Sequence, residues 1–112
     1  MGKFTVGQIV SSAFPFSDLK THKYRPAVIV AVVDFDDLVL CQITSNPYSS
    51  SMAIMLLESD FANGGLLIKS YIRPDKLFTA DASIVSAVYG ELKPGKLQQV
   101  HTILRSLFIN VK

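Results

Sequence analysis

Apolar residues follow two rhythms along this chain: short blocks broken by Pro, Gly, Asn and Asp, and then, after Pro94, recurrence at helical spacing. Gln8 to Phe16 reads as a first strand, and Pro15 pushes Phe14 toward the extended conformation of a strand end or edge. Arg25 to Asp34 is a second strand, and its Val and Ile at successive positions predict burial on both faces. Asp34-Phe35-Asp36-Asp37 supplies a turn, so Leu38 to Thr44 returns antiparallel as the second arm of a hairpin. Met52 to Leu57 reads as a fourth strand and Asn63-Gly64-Gly65 as a turn. Ser70 to Arg73 and Lys76 to Thr79 read as two short extended pieces around Pro74. Ile84 to Tyr89 fits strand or helix, and its β-branched content and the following Gly90 favour strand. Lys20 to Tyr24 and Ser45 to Ser51 read as polar loops, the second marked by Asn46-Pro47.

The one clear helix is C-terminal. Leu97, Val100, Ile103, Leu104, Leu107 and Phe108 recur at i, i+3, i+4 and i+7, a single apolar stripe, and Pro94 suits a helix start. No repeat or linker interrupts the chain, so residues 1–112 read as one domain. Short antiparallel strands followed by one amphipathic helix predict a mainly β fold, a small barrel closed so that its edges are removed.

Composition narrows this picture. Of the 112 residues, 49% are apolar, enough for a core without disulfide or metal staples. The single Cys41 sits in an apolar run and reads as a small buried hydrophobe, consistent with a reducing, cytoplasmic location. A formal charge of +2 does not suit a protein that coats nucleic acid, so any such function must rest on a local patch. The apolar run Pro26 to Val33 is too short to cross a bilayer, and the N-terminal stretch carries no secretory pattern.

That local patch exists. Lys20, His22, Lys23 and Arg25 crowd the segment before the second strand, with Tyr24 among them. Arg25 can clamp a phosphate with two parallel hydrogen bonds, although a surface arginine is the commoner role. Thr44 and Ser45 place hydroxyls at a strand end, where they can donate to a phosphate oxygen or serve local turn chemistry. In Arg73-Pro74-Asp75-Lys76 the Asp, close to cations, can act as a base or orient one, or simply form a surface ion pair of little energetic worth. His22, in the basic segment, suits chemistry better than His101, which lies beside the helical stripe and reads as a structural or surface histidine. No metal-ligand spacing, Gly-rich phosphate loop or Gly-x-Ser-x-Gly element is present, and neither metal nor cofactor is expected.

Taken in order, these motifs resemble the MazF/PemK toxins. The resemblance is carried by Gly7-Gln8-Ile9-Val10, Phe14-Pro15-Phe16-Ser17-Asp18 and Arg25-Pro26-Ala27-Val28-Ile29-Val30. It continues through Cys41-Gln42-Ile43-Thr44-Ser45, Ser70 to Thr79, and Gly90-x-Leu92 with the closing helix. It implies an SH3-like barrel that works as a homodimer. The implied activity is sequence-specific, metal-independent cleavage of single-stranded RNA, typically messenger RNA, by attack of the ribose 2′-OH on the phosphodiester. A cognate antitoxin would block the RNA groove. By the same resemblance Arg25 and Thr44 are the catalytic pair. Read from the residues themselves, Ser45, His22, Arg73 and Asp75 are further catalytic or RNA-binding candidates, and Lys20, Lys23 and Tyr24 form a candidate RNA-binding loop. Phe16, Tyr24 and Tyr48 are candidates for stacking on exposed bases.

The chain departs from the family at Gln8, where many members carry an acid, and in a loop before Arg25 that lacks glycine, so cleavage specificity does not carry over. Two other functions are compatible with such a barrel: a toxin that poisons a protein such as a topoisomerase, and a non-catalytic peptide-binding module. Convergence of Arg25 and Thr44 on one phosphate would separate the nuclease from both.

Overall fold

The computed structural model describes residues 3–15, 22–46, 48 and 50–109. β1 (Gln8–Pro15) pairs antiparallel with β2 (His22–Val33), setting Ile9 opposite Val28 and Ser12 opposite Arg25. Four successive β2 residues, Ala27 to Val30, are buried. Val28 and Val30 enter one apolar cluster with Ile9, Cys41, Ile43 and Ile72, while Ala27 and Ile29 enter a second with Val10, Leu38 and Leu40. Burial on both faces, as the continuous apolar run predicts, thus places β2 at the centre of the molecule. β2 starts at His22, so the expected loop over Lys20 to Tyr24 gives way to strand from His22 onward. Phe16 and Lys20 lie outside the described residues.

A 3-10 turn at Asp34–Asp36, with Asp36 at φ +63°, reverses the chain into β3 (Asp37–Thr44). Asp is among the few non-glycine residues that tolerate this left-handed conformation. β3 pairs next with β6 (Ser70–Asp81). The two pieces expected around Pro74 are one strand with a bulge: Cys41 faces Leu77 and Ile43 faces Ile72, so Arg73 to Lys76 stand against Gln42 alone. A buried proline, which has no N–H to give a ladder, fits at such a bulge.

The remaining strands are β4 (Ile54–Leu56), β5 (Phe61–Gly64) and β7 (Val85–Leu92). Asn63 and Gly64, expected in a turn, are therefore strand residues. The sheet order is β4-β6-β3-β2-β1-β7-β5, which sets β4 and β5 at opposite margins although they are consecutive in sequence. In a flat sheet, strands about 4.8 Å apart would separate those margins by roughly 29 Å. The link from Leu56 to Phe61 reaches at most about 18 Å even when extended, and the 3-10 turn Glu58–Asp60 shortens it further. The sheet must curl. No hydrogen-bonded ladder joins β4 to β5 among the described residues, so the result is a half-barrel rather than the closed barrel expected.

The helix α1 (Pro94–Ile109) begins at Pro94, where the missing N–H costs nothing. Val100 is fully buried in the first apolar cluster, with Ile103 and Leu104 packed against it. Burying one such side chain contributes about 1.5–3 kcal/mol. Phe108, expected in the stripe, is 66% exposed. Among the described residues, three polar ties dock the helix and the residue before it. His101 donates from Nε2 to the Val30 carbonyl at 2.9 Å, Lys96 pairs with Asp60 at 3.3 Å, and the Lys93 N–H donates to the Asp60 carbonyl at 2.8 Å. Among the described residues no helix is long and apolar enough to cross a membrane.

Candidate active-site cleft

β2 and β3 bring the two residues of greatest chemical interest together. Their antiparallel register sets Ala27 opposite Gln42. Continued by two residues, it sets Arg25 across from Thr44, with both side chains directed to the same face of the sheet. Both residues line one open cleft of about 390 Å³, with Ser45 beside them. A cleft of this size is typical of a small-ligand or subsite pocket.

Thr44 Oγ1 accepts the backbone N–H of Asn46 at 3.1 Å. That bond occupies an acceptor position of the hydroxyl and leaves its own hydrogen to donate elsewhere. Asn46 is committed to the turn, its Oδ1 accepting the Tyr48 N–H at 2.9 Å. Ser50 is likewise occupied: its Oγ accepts the Met52 N–H at 3.0 Å and donates to Asp75 Oδ2 at 2.9 Å. Turn chemistry therefore claims Asn46 and Ser50, while Thr44 takes part in the turn and still faces the cleft.

Arg73 and Asp75 are not among the residues lining the cleft. Arg73 donates to Asp75 from Nε at 3.2 Å and from Nη2 at 2.8 Å. The hydrogen bond from Arg73 is the main cause that holds the Asp75 carboxyl below the usual range, with Ser50 adding to it. The same pairing raises the Arg73 guanidinium. Burial, reinforced by the nearby Asp75 charge, pushes the Cys41 thiol up to about 12, so it stays protonated and inert. Tyr24 is 61% exposed and Tyr48 is 92% exposed, and neither lines the cleft. The side chains of His22 and Lys23 lie outside the described residues. His101 is held on the Val30 carbonyl, a structural role.

Sequence reasoning misses the other side of the cleft. It is lined by Leu66, Leu67, Ile68 and Tyr89, which read as core material when apolarity alone is considered. The signal that could have exposed them is Gly64-Gly65, since two glycines ahead of a short apolar run favour a backbone that turns outward. Gly64 adopts φ +69°, and a Cβ there would lie 2.1 Å from the Tyr89 carbonyl oxygen. A Cβ on Gly90 would lie 2.4 Å from the Asn63 carbonyl oxygen. The backbones of β5 and β7 thus approach too closely for side chains, and that approach launches the segment toward the cleft.

A sequence profile described as "PemK-like, MazF-like toxin of type II toxin-antitoxin system" matches residues 5–108. The chain belongs to that family. The match covers every strand and nearly all of the helix of this PemK/MazF-family chain. Comparison with curated proteins by sequence returns no match. Solved structures share its fold. An endoribonuclease in complex with its cognate antitoxin from a mycobacterial species superposes with a TM-score of 0.73 at 16% identity, over 97% of this chain and 97% of the other. MazF in a MazE–MazF complex from Deinococcus radiodurans superposes with a TM-score of 0.74 at 18% identity, over 94% and 95%.

Proposed function

We propose that this PemK/MazF-family chain is an endoribonuclease toxin that cleaves single-stranded RNA without a metal ion. The observation that carries the reading is the meeting of Arg25 and Thr44 in one cleft. The ribose 2′-OH attacks the adjacent phosphorus, a new O–P bond forms, and the bond to the 5′ oxygen breaks. Charge accumulates on the non-bridging oxygens as this happens. Arg25 carries a permanent positive charge and a planar donor fork for those oxygens. Thr44, its acceptor position held by Asn46, donates to one of them. Ser45 supplies a second hydroxyl at the rim. The 2′-OH proton passes to solvent reaching the open cleft, and the departing 5′ oxygen takes a proton from the same solvent, leaving a 2′,3′-cyclic phosphate on one fragment and a 5′-hydroxyl on the other.

The same reading makes the chain a cytoplasmic homodimer whose cleft is covered by a cognate antitoxin. Similarity of fold to toxins crystallised with their antitoxins supports that partner. A topoisomerase poison or a passive peptide module would have no need of a guanidinium and a hydroxyl converging on one cleft, so the nuclease is the reading favoured.

The test is incubation of the purified chain with a long RNA in EDTA. The wild type is expected to cut at discrete sites, and Arg25→Ala to cut about 10²–10³-fold more slowly. Equal cutting by both would remove Arg25 from the mechanism. Absence of cutting on every RNA tried, with the protein folded, would overturn the nuclease reading.

A further inference from the structure

The cleft has one property that phosphate chemistry does not use. Leu67 is fully exposed, Ile68 is 68% exposed and Tyr89 is 40% exposed, all lining the same space as Arg25. The segment that carries the two aliphatic residues is pinned at both ends. The Gly65 N–H donates to the Tyr89 carbonyl at 3.1 Å, and the Ser70 hydroxyl donates to the Ile68 carbonyl at 2.6 Å. A backbone fixed in this way holds apolar side chains in solvent before any ligand arrives, so little ordering remains to be done on binding. The segment also borders a second depression, of about 300 Å³, and so stands as a ridge between two hollows.

An occupant of the cleft must satisfy both halves of it. Arg25, with the Thr44 and Ser45 hydroxyls, calls for an anionic group rich in acceptors. Leu67, Ile68 and the Tyr89 ring call for a flat apolar group a short distance away. A nucleotide of unpaired RNA carries both, a phosphate and an unstacked base. We propose that Leu67, Ile68 and Tyr89 form a nucleobase subsite beside the phosphate held at Arg25 and Thr44, and that this subsite sets part of the cleavage specificity. The proposal rests on the nuclease reading for the phosphate. The base contact itself is a matter of binding and can be measured without cleavage.

The experiment compares wild type with Leu67→Ser, Tyr89→Ala and Tyr89→Phe, each checked for an unchanged melting temperature. Two quantities are read: the distribution of cut sites along a long RNA of mixed sequence, and affinity for short oligoribonucleotides blocked by 2′-O-methylation at the scissile position. Leu67→Ser and Tyr89→Ala are expected to weaken oligonucleotide binding by about fivefold to a hundredfold and to relax the preference at one base next to the cut. Tyr89→Phe keeps the ring and is expected to behave as wild type. Leu67 is fully exposed, so Leu67→Ser decides the matter if Tyr89→Ala does not fold.

Folded variants with wild-type affinity and cut-site distribution would overturn the subsite while leaving the nuclease intact. A wild type that binds the blocked oligonucleotides through Leu67 but cuts no RNA would sustain the subsite and overturn the nuclease. Failure both to cut and to bind would overturn the two together. If Leu67→Ser leaves RNA binding unchanged but abolishes binding of a synthetic Asp- and Leu-rich peptide, the wall serves a protein partner and the base proposal falls.

Discussion

Arg73 grips Asp75 from two nitrogens at once, and Ser50 completes the hold by donating to the same carboxylate. The arrangement lowers the Asp75 pKa in the folded chain. A carboxyl depressed in this way contributes stability above its unfolded pKa, near ~3.9, and loses that contribution as pH falls through the folded value. Both side chains are partly exposed, so the contribution is expected to be only about 0.2–1 kcal/mol. Urea midpoints of wild type and Asp75→Asn should therefore differ at about pH 7, and the difference should shrink progressively as pH falls below ~3.9.

The proposed chemical role of the Thr44 hydroxyl can be separated from its observed role in the turn. Thr44→Ser retains an oxygen that can accept from the Asn46 N–H and donate into the cleft, and near wild-type cleavage is expected. Thr44→Ala should lower the single-turnover rate by about 10²–10³-fold while costing only about 1 kcal/mol of stability. Parallel loss of rate and of melting temperature would assign Thr44 to the turn alone.

Gly64 has no room for a side chain. Gly64→Ala sets a Cβ against the Tyr89 carbonyl at a positive φ, combining backbone strain with overpacking. A loss of about 2–4 kcal/mol is expected, read as a lowered denaturation midpoint. Gly65→Ala, where a Cβ meets open space, is the control and should change little.

Cys41 should be silent to thiol reagents in the native state and react only as fast as the chain unfolds. Its folded pKa, pushed up to about 12, lies above the unfolded value near ~8.5. The associated stability is complete below that unfolded value and is lost as pH rises from there toward 12. Cys41→Ser is expected to cost about 1–3 kcal/mol by burying a hydroxyl in an apolar cluster.

The parts of the fold legible in the sequence are those fixed by local chemistry. The run Ala27 to Val30 could be satisfied only by burial on two faces, the Asp34–Asp37 turn forced a hairpin, and the stripe around Val100 forced a helix against the sheet. The misreadings share one cause, which is long-range pairing. Pro74 read as a break, but β3 accepts a bulge there. Asn63 and Gly64 read as a turn, but β7 recruits them because the glycines permit close contact. The open margins of the sheet were likewise invisible, since they follow from strand order. In the candidate cleft, Arg25, Thr44 and Ser45 are legible from sequence as residue types suited to phosphate, and the structure brings them together. The Leu66 to Ile68 ridge is not legible, because the apolar run taken alone looks like core and only the preceding Gly64-Gly65 hints at its outward turn.

The short tie from Leu57 to Asp60 acts like the lacing of a corset. It spans the two free margins of the sheet, and Asp60 fastens it both to its own turn through the Leu57 N–H at 2.7 Å and to the helix through Lys96. The girth of the half-barrel is thereby dictated by four residues remote from Arg25. Insertions in that lacing offer a way to widen the molecule while every strand keeps its own sequence.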